Sequence, residues 1–86
     1  MMHSIEEVWQ RIAAHEGQTF RQKRGGEFTY LIKGNAVYPN RTNCHVSRVN
    51  FEKALARMPF ENTVPLQDLQ GPSYVYGILK DPRICG

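Results

Sequence analysis

Cys44 and His45 are the first neighbours in this chain whose side chains could do chemistry together. A thiol and an imidazole make a nucleophile and its base only where they converge, and neighbours in an extended segment point to opposite faces. Adding His3, His15 and Cys85 raises the question of zinc, but structural zinc ligands come in close pairs such as Cys-x-x-Cys, and the chain has none. Both cysteines are therefore read as free thiols. His15 falls at the end of a predicted helix, where the dipole favours a cation, and the adjacent Glu6 and Glu7 fall in its first turn, where the dipole favours anions. Gly25-Gly26 lacks the Lys-Ser/Thr ending of a nucleotide loop, and Gly71-Pro72-Ser73 lacks the glycine spacing of a dinucleotide turn. The latter does set free amides at a helix start, an arrangement that accepts anions. No catalytic residue, metal ligand or cofactor emerges, and the chain reads as a non-enzyme.

Binding chemistry is better represented. Arg21, Lys23 and Arg24 flank Gly25-Gly26, a turn without β-carbons that lets backbone and cations come close to a phosphate chain. Arg41-Thr42-Asn43 adds donors suited to phosphates or base edges, and Lys33 lies between the two groups. The net charge of +3 hides an asymmetry, because residues 21–57 hold eight Lys and Arg against Glu27 and Glu52, whereas the remainder is acidic. Such segregation is the footprint of a surface that meets phosphates or an acidic protein. The plainer use of these cations is to keep a thin sheet soluble and blunt its edges. The binding residues expected are Arg21, Lys23, Arg24, Lys33, Arg41 and Asn43, and the partner expected is nucleic acid. The alternative is a protein-interaction or regulatory module, dimeric or with a protein partner, that uses this face or the rim around Tyr74 and Tyr76.

The elements that must position these residues follow from periodicity. Ile5, Val8, Trp9, Ile12 and Ala13 recur at helical spacing, with Ser4 and Glu7 as a capping box and Gly17 beyond the end, which predicts a helix over 4–16. Phe28, Tyr30 and Ile32 alternate with Thr29, Leu31 and Lys33, as a two-faced strand requires. Gly25-Gly26 and Gly34-Asn35 suit tight reversals, so 19–22, 27–33 and 36–38 form a three-stranded antiparallel meander, with Pro39 confining the last strand to an edge and 40–46 a loop. A second helix carries Phe51, Ala54, Leu55 and Met58, capped by Ser47 or Asn50 and stopped by Pro59. Val64, Leu66 and Leu69 anchor one irregular turn, and Pro72 to Leu79 form a last helix ended by Asp81-Pro82. The fold class is α+β, a three-stranded meander packed against helices in the order α-β-β-β-α-α.

At 86 residues the chain is one domain spanning 1–86, and its short apolar runs fall far below the about 20 residues a bilayer span requires. Residues 1–7 lack the basic patch and apolar stretch of a secretory signal, which makes the cytoplasm the expected location. The order α-β-β-β-α is similar to that of double-stranded RNA-binding domains, although the start of the second helix, Ser47-Arg48-Val49-Asn50, lacks their lysine cluster. Arg24-Gly25-Gly26-x-Phe28-Thr29-Tyr30, Arg41-Thr42-Asn43, Phe51-Glu52-Lys53-Ala54-Leu55 and the stretch from Gly71-Pro72-Ser73-Tyr74 to Asp81-x-Arg83-Ile84 together resemble a family of small uncharacterised bacterial proteins. That resemblance spans nearly the whole chain and implies a bacterial cytosolic protein, but it carries over no catalytic or binding residue.

Overall fold

A computed structural model describes residues 4–85. The elements run α1 (Ile5–Ala14), β1 (Phe20–Arg21), β2 (Glu27–Phe28), β3 (Tyr30–Lys33), β4 (Ala36–Pro39), β5 (Val46–Ser47), α2 (Arg48–Ala56), a 3-10 turn (Val64–Leu66) and α3 (Pro72–Leu79). The α+β class and the antiparallel three-stranded sheet are as expected, but the sheet is assembled differently. β3, β4 and β5 form it in that order, while β1 and β2 stand apart as a two-stranded hairpin.

One side chain and one added strand explain the difference. The strand expected over 27–33 breaks at Thr29, whose amide donates to Asn40 Oδ1 at 2.9 Å and whose carbonyl accepts from the Asn40 amide at 2.9 Å. Before Thr29 the chain pairs with β1, and after it with β4. Val46 and Ser47, expected at the end of a loop and in a helix cap, instead add a third strand beside Val37 and Ala36. That makes β4 the central strand and corrects the edge position inferred from Pro39. The proline is tolerated because Tyr30, opposite it, turns its carbonyl outward to the Gly17 amide at 2.9 Å, and β5 stops before reaching Pro39.

Helix α1 begins at Ser4, whose hydroxyl accepts from the Glu7 amide at 3.2 Å. It buries Val8, Trp9 and Ile12, whereas Ala13 is exposed. Trp9 meets Phe51 of α2 edge-on at 5.9 Å. Inward-facing Phe20, Phe28, Tyr30, Val37 and Val46 join these helices, together with Val75, Ile78 and Leu79 of α3, in one cluster. Leu66 and Leu69 anchor the segment before α3 as expected, but Val64 is 71% exposed. No helix among the described residues is long and apolar enough to cross a membrane.

Three contacts lock the hairpin and the chain ends onto this core. Gly77, inside α3, lies against the backbone of β1, so that a Cβ there would collide with the Arg21 carbonyl. The Tyr30 hydroxyl donates to the Ile12 carbonyl of α1 at 2.5 Å. Arg83 donates to the Thr19 carbonyl at 2.7 Å, pairs with Asp81 at 2.9 Å and lies 3.9 Å over the Phe20 ring. The Arg83 guanidinium holds the Asp81 carboxyl below its usual range.

Gly77→Ala is expected to destabilise the protein despite alanine's better helix propensity. The helix gains about 1 kcal/mol at most, whereas forcing atoms into a closed contact costs about 1–3 kcal/mol and here the opposing atom is backbone. A thermal melt should show Tm lowered by roughly 5–10 °C. Burial pushes the Tyr30 phenol well above its ordinary value of 10.0. With the folded pKa above the unfolded one, the stability linked to Tyr30 is complete below the ordinary value and is lost as pH rises through the folded one. Denaturant titrations should show stability falling above roughly pH 10, by up to about 1.4 kcal/mol per pH unit from this group. Tyr30→Phe should flatten that decline while lowering stability at neutral pH by about 1 kcal/mol.

Candidate nucleic-acid interface

Four of the six residues singled out in the sequence meet around the β1–β2 hairpin. Its turn closes through the Gly25 amide, which donates to the Gln22 carbonyl at 2.9 Å with Gly25 at φ +89°. Only a residue at ease with positive φ suits that position. The turn presents Lys23 and Arg24, both exposed. Arg41 arrives from the loop after β4 and donates to the Glu27 carbonyl at 3.3 Å. Its guanidinium covers Gly26 together with the Gln22 side chain. Arg21 sits beside them on β1 and pairs with the Glu27 carboxylate at 3.2 Å, in a contact where both side chains are more than half exposed. An ion pair so open to water holds its arginine weakly.

The turn is tied to α3 by Gln22 Nε2, which donates to Ser73 Oγ at 3.1 Å. Between them lies a groove of about 450 Å³ lined by Gln22, Lys23, Arg24, Thr63 and Ser73. Its lining thus consists of two cations and three neutral hydrogen-bonding side chains, with no carboxylate. Gln22 and Thr63 are not among the residues that the sequence singles out, whereas Ser73 belongs to the anion-accepting helix start Gly71-Pro72-Ser73. Thr63 and Ser73 are distant in sequence and only the fold brings them to the turn.

Lys33 and Asn43 are placed apart from this group. Lys33 ends β3, with its ammonium 5.3 Å from the Tyr38 ring centre, and Asn43 is exposed in the loop between Arg41 and β5. The remaining cations of the basic half divide between open and occupied. Arg57 is held by both oxygens of Asp68, at 2.6 and 3.0 Å, and keeps that carboxyl below its usual range. Arg48 lies 5.9 Å from the Trp9 ring centre.

The tyrosine rim has a structural role on both sides. Tyr74 stands edge-on to Phe28 at 4.9 Å, and Tyr76 lies beside Phe60 with its hydroxyl donating to the Glu61 carbonyl at 3.2 Å. Both are half-buried. Lys23 reaches within 5.5 Å of the Tyr76 ring centre. A second depression of about 460 Å³ runs along α3 and β1, but Glu27 and Asp81 line it alongside Arg21, Lys80 and Arg83, so its charges are mixed.

Other candidate chemistry is dispersed. Cys44 is exposed and Cys85 half-buried, both as free thiols, and burial pushes the Cys85 thiol up. His15 caps α1, with its ring Nδ1 2.7 Å from the Arg11 carbonyl. His3 lies outside the described residues. Among those described, no three His, Cys, Asp or Glu side chains gather closely enough to hold a metal ion. Comparison of the chain with protein-family models, curated proteins and solved structures finds no match.

Gly26 offers a contrast to Gly77. A methyl there would meet only the ends of Arg41 and Gln22, each 2.7 Å away, and both side chains can swing aside. Gly26→Ala should therefore change stability by less than about 1 kcal/mol in a denaturant titration. Side-chain NMR should nevertheless show the Arg41 and Gln22 signals displaced.

Proposed function

We propose that this is a non-enzymatic, cytoplasmic nucleic-acid-binding protein that grips the phosphate backbone through its β1–β2 hairpin. The observation that carries this reading is the carboxylate-free groove beside Lys23 and Arg24, with Arg21 on the same hairpin and Arg41 reaching it from the loop after β4. A phosphate chain following the turn would meet four cations in succession. The Ser73 and Thr63 hydroxyls and the Gln22 amide on the groove wall can donate to phosphate oxygens, which fixes register without reading sequence. Glu27 is the one acidic side chain paired within this group, and incoming phosphates would compete with it for Arg21. Lys33 and Asn43 extend the contact only for a ligand long enough to cross the sheet.

Fluorescence anisotropy with labelled oligonucleotides tests this. Four phosphates neutralised should give a plot of log affinity against log salt with slope of roughly −3 to −4. Replacing Arg21, Lys23 and Arg24 together with alanine should weaken all sequences alike, leave the melting transition intact and flatten the slope by about 2 to 3. Absence of binding at low salt, or a salt-independent affinity, would overturn the reading. So would a concentration-dependent dimer in sedimentation that buries the hairpin.

A further inference from the structure

We infer that the outer face of the β3–β4–β5 sheet is a stacking platform for unpaired bases, so that the nucleic acid this protein takes is single-stranded. The inference rests on the proposed backbone grip and adds to it a second, separate surface. Tyr38, on the central strand, carries the exposed His45 ring stacked on it at 5.2 Å with 26° between their planes. Lys33 lies 5.3 Å from the Tyr38 ring centre. Leu31, directly opposite Tyr38 in the β3–β4 register, is 54% exposed. Two near-parallel rings, Tyr38 half-buried and His45 exposed, therefore share one patch with an apolar ledge and a cation. A π-stack left open in this way can be continued by another flat ring, and every base has one.

Charge favours a polyanion there over an apolar peptide surface or one of mixed sign. From Phe28 to Phe51, a stretch that contains all three strands of the sheet and their loops, the sequence has Lys33, Arg41 and Arg48 and no Asp or Glu, and the Glu16 carboxylate that reaches β3 from outside this stretch accepts from the Ile32 amide at the strand's edge. The loop 40–45 connects the two surfaces, with Arg41 on the hairpin and His45 on the platform. A strand long enough to follow this loop from the hairpin would reach the rings. In a duplex the bases are stacked on one another and their flat faces are closed to a side chain, which is why the platform selects single strands.

The test compares four labelled probes of equal length at one low salt concentration: oligothymidylate, oligouridylate, a mixed-sequence duplex and an abasic deoxyribose-phosphate strand. Stacking of one base predicts that oligothymidylate binds about 5- to 100-fold more tightly than the abasic strand. His45→Ala and Tyr38→Leu, the second keeping apolar bulk on the sheet, should each abolish most of that difference while leaving abasic-strand affinity unchanged. Equal binding of abasic and base-bearing strands, or preference for the duplex, would overturn the platform while leaving the backbone grip standing. Failure of all four probes to bind would instead remove the proposed function itself.

Discussion

The absence of one β-carbon, at Gly77, decides how this molecule is put together. Because α3 has no side chain there, the backbone of β1 rests directly on the helix, and the Arg21 carbonyl occupies the place a methyl would fill. The hairpin, parted from the main sheet at Thr29, thus seats on α3. Phe28 meets Tyr74 edge-on and Gln22 bonds Ser73, so both strands of the hairpin are fixed to the same helix. Arg83 fastens the approach to β1 from the other side, through the Thr19 carbonyl and the Phe20 ring. A turn that would otherwise be a free loop tip is thereby tied down at its base, and a backbone held in this way costs less to order around a ligand.

Local chemistry is what the sequence makes legible. The helical spacing and Ser4 announce α1, Pro72 opens α3, and the alternation from Phe28 to Lys33 gives the buried and exposed sides correctly even across the break at Thr29. Pairing partners are a different matter. Val46–Ser47 is too short for any period to show, and it becomes a strand only because Ala36 and Val37 already offer an open edge. Asn40 splits the long strand through bonds to a residue eleven positions earlier, which no window along the chain registers. Gly77 by itself reads as a weak point in a helix, since its reason lies on another element.

The same division holds for the candidate site. Arg21, Lys23 and Arg24 are neighbours in sequence and remain neighbours in space, whereas joining Arg41 to them needed the tertiary fold. The charge asymmetry overstated the basic surface, because Arg57 belongs to a bidentate pair with Asp68. It also passed over the rings: Tyr38 and His45 are separated by a loop, and their stacking depends on β5 returning alongside β4. Counting charges finds cations, but whether each is open to a ligand is set by what the fold places next to it.

The sheet's exposed strand edge narrows the ways it can meet another molecule. An unpaired edge ordinarily invites another strand, yet along β3 the Tyr30 carbonyl accepts from the Gly17 amide and the Ile32 amide donates to the Glu16 carboxylate at 2.7 Å. Both groups come from the turn after α1, so the helix that fills the core also closes the edge. On the opposite side β5 is two residues long and runs straight into α2. Strand addition therefore has no backbone row to use, and what the sheet leaves open to a partner is its outer row of side chains. A contact built from a cation, two rings and an exposed leucine has no hydrogen-bonding register to enforce. Its preferences would follow ring shape and charge rather than sequence, as the phosphate contacts proposed for the hairpin also would.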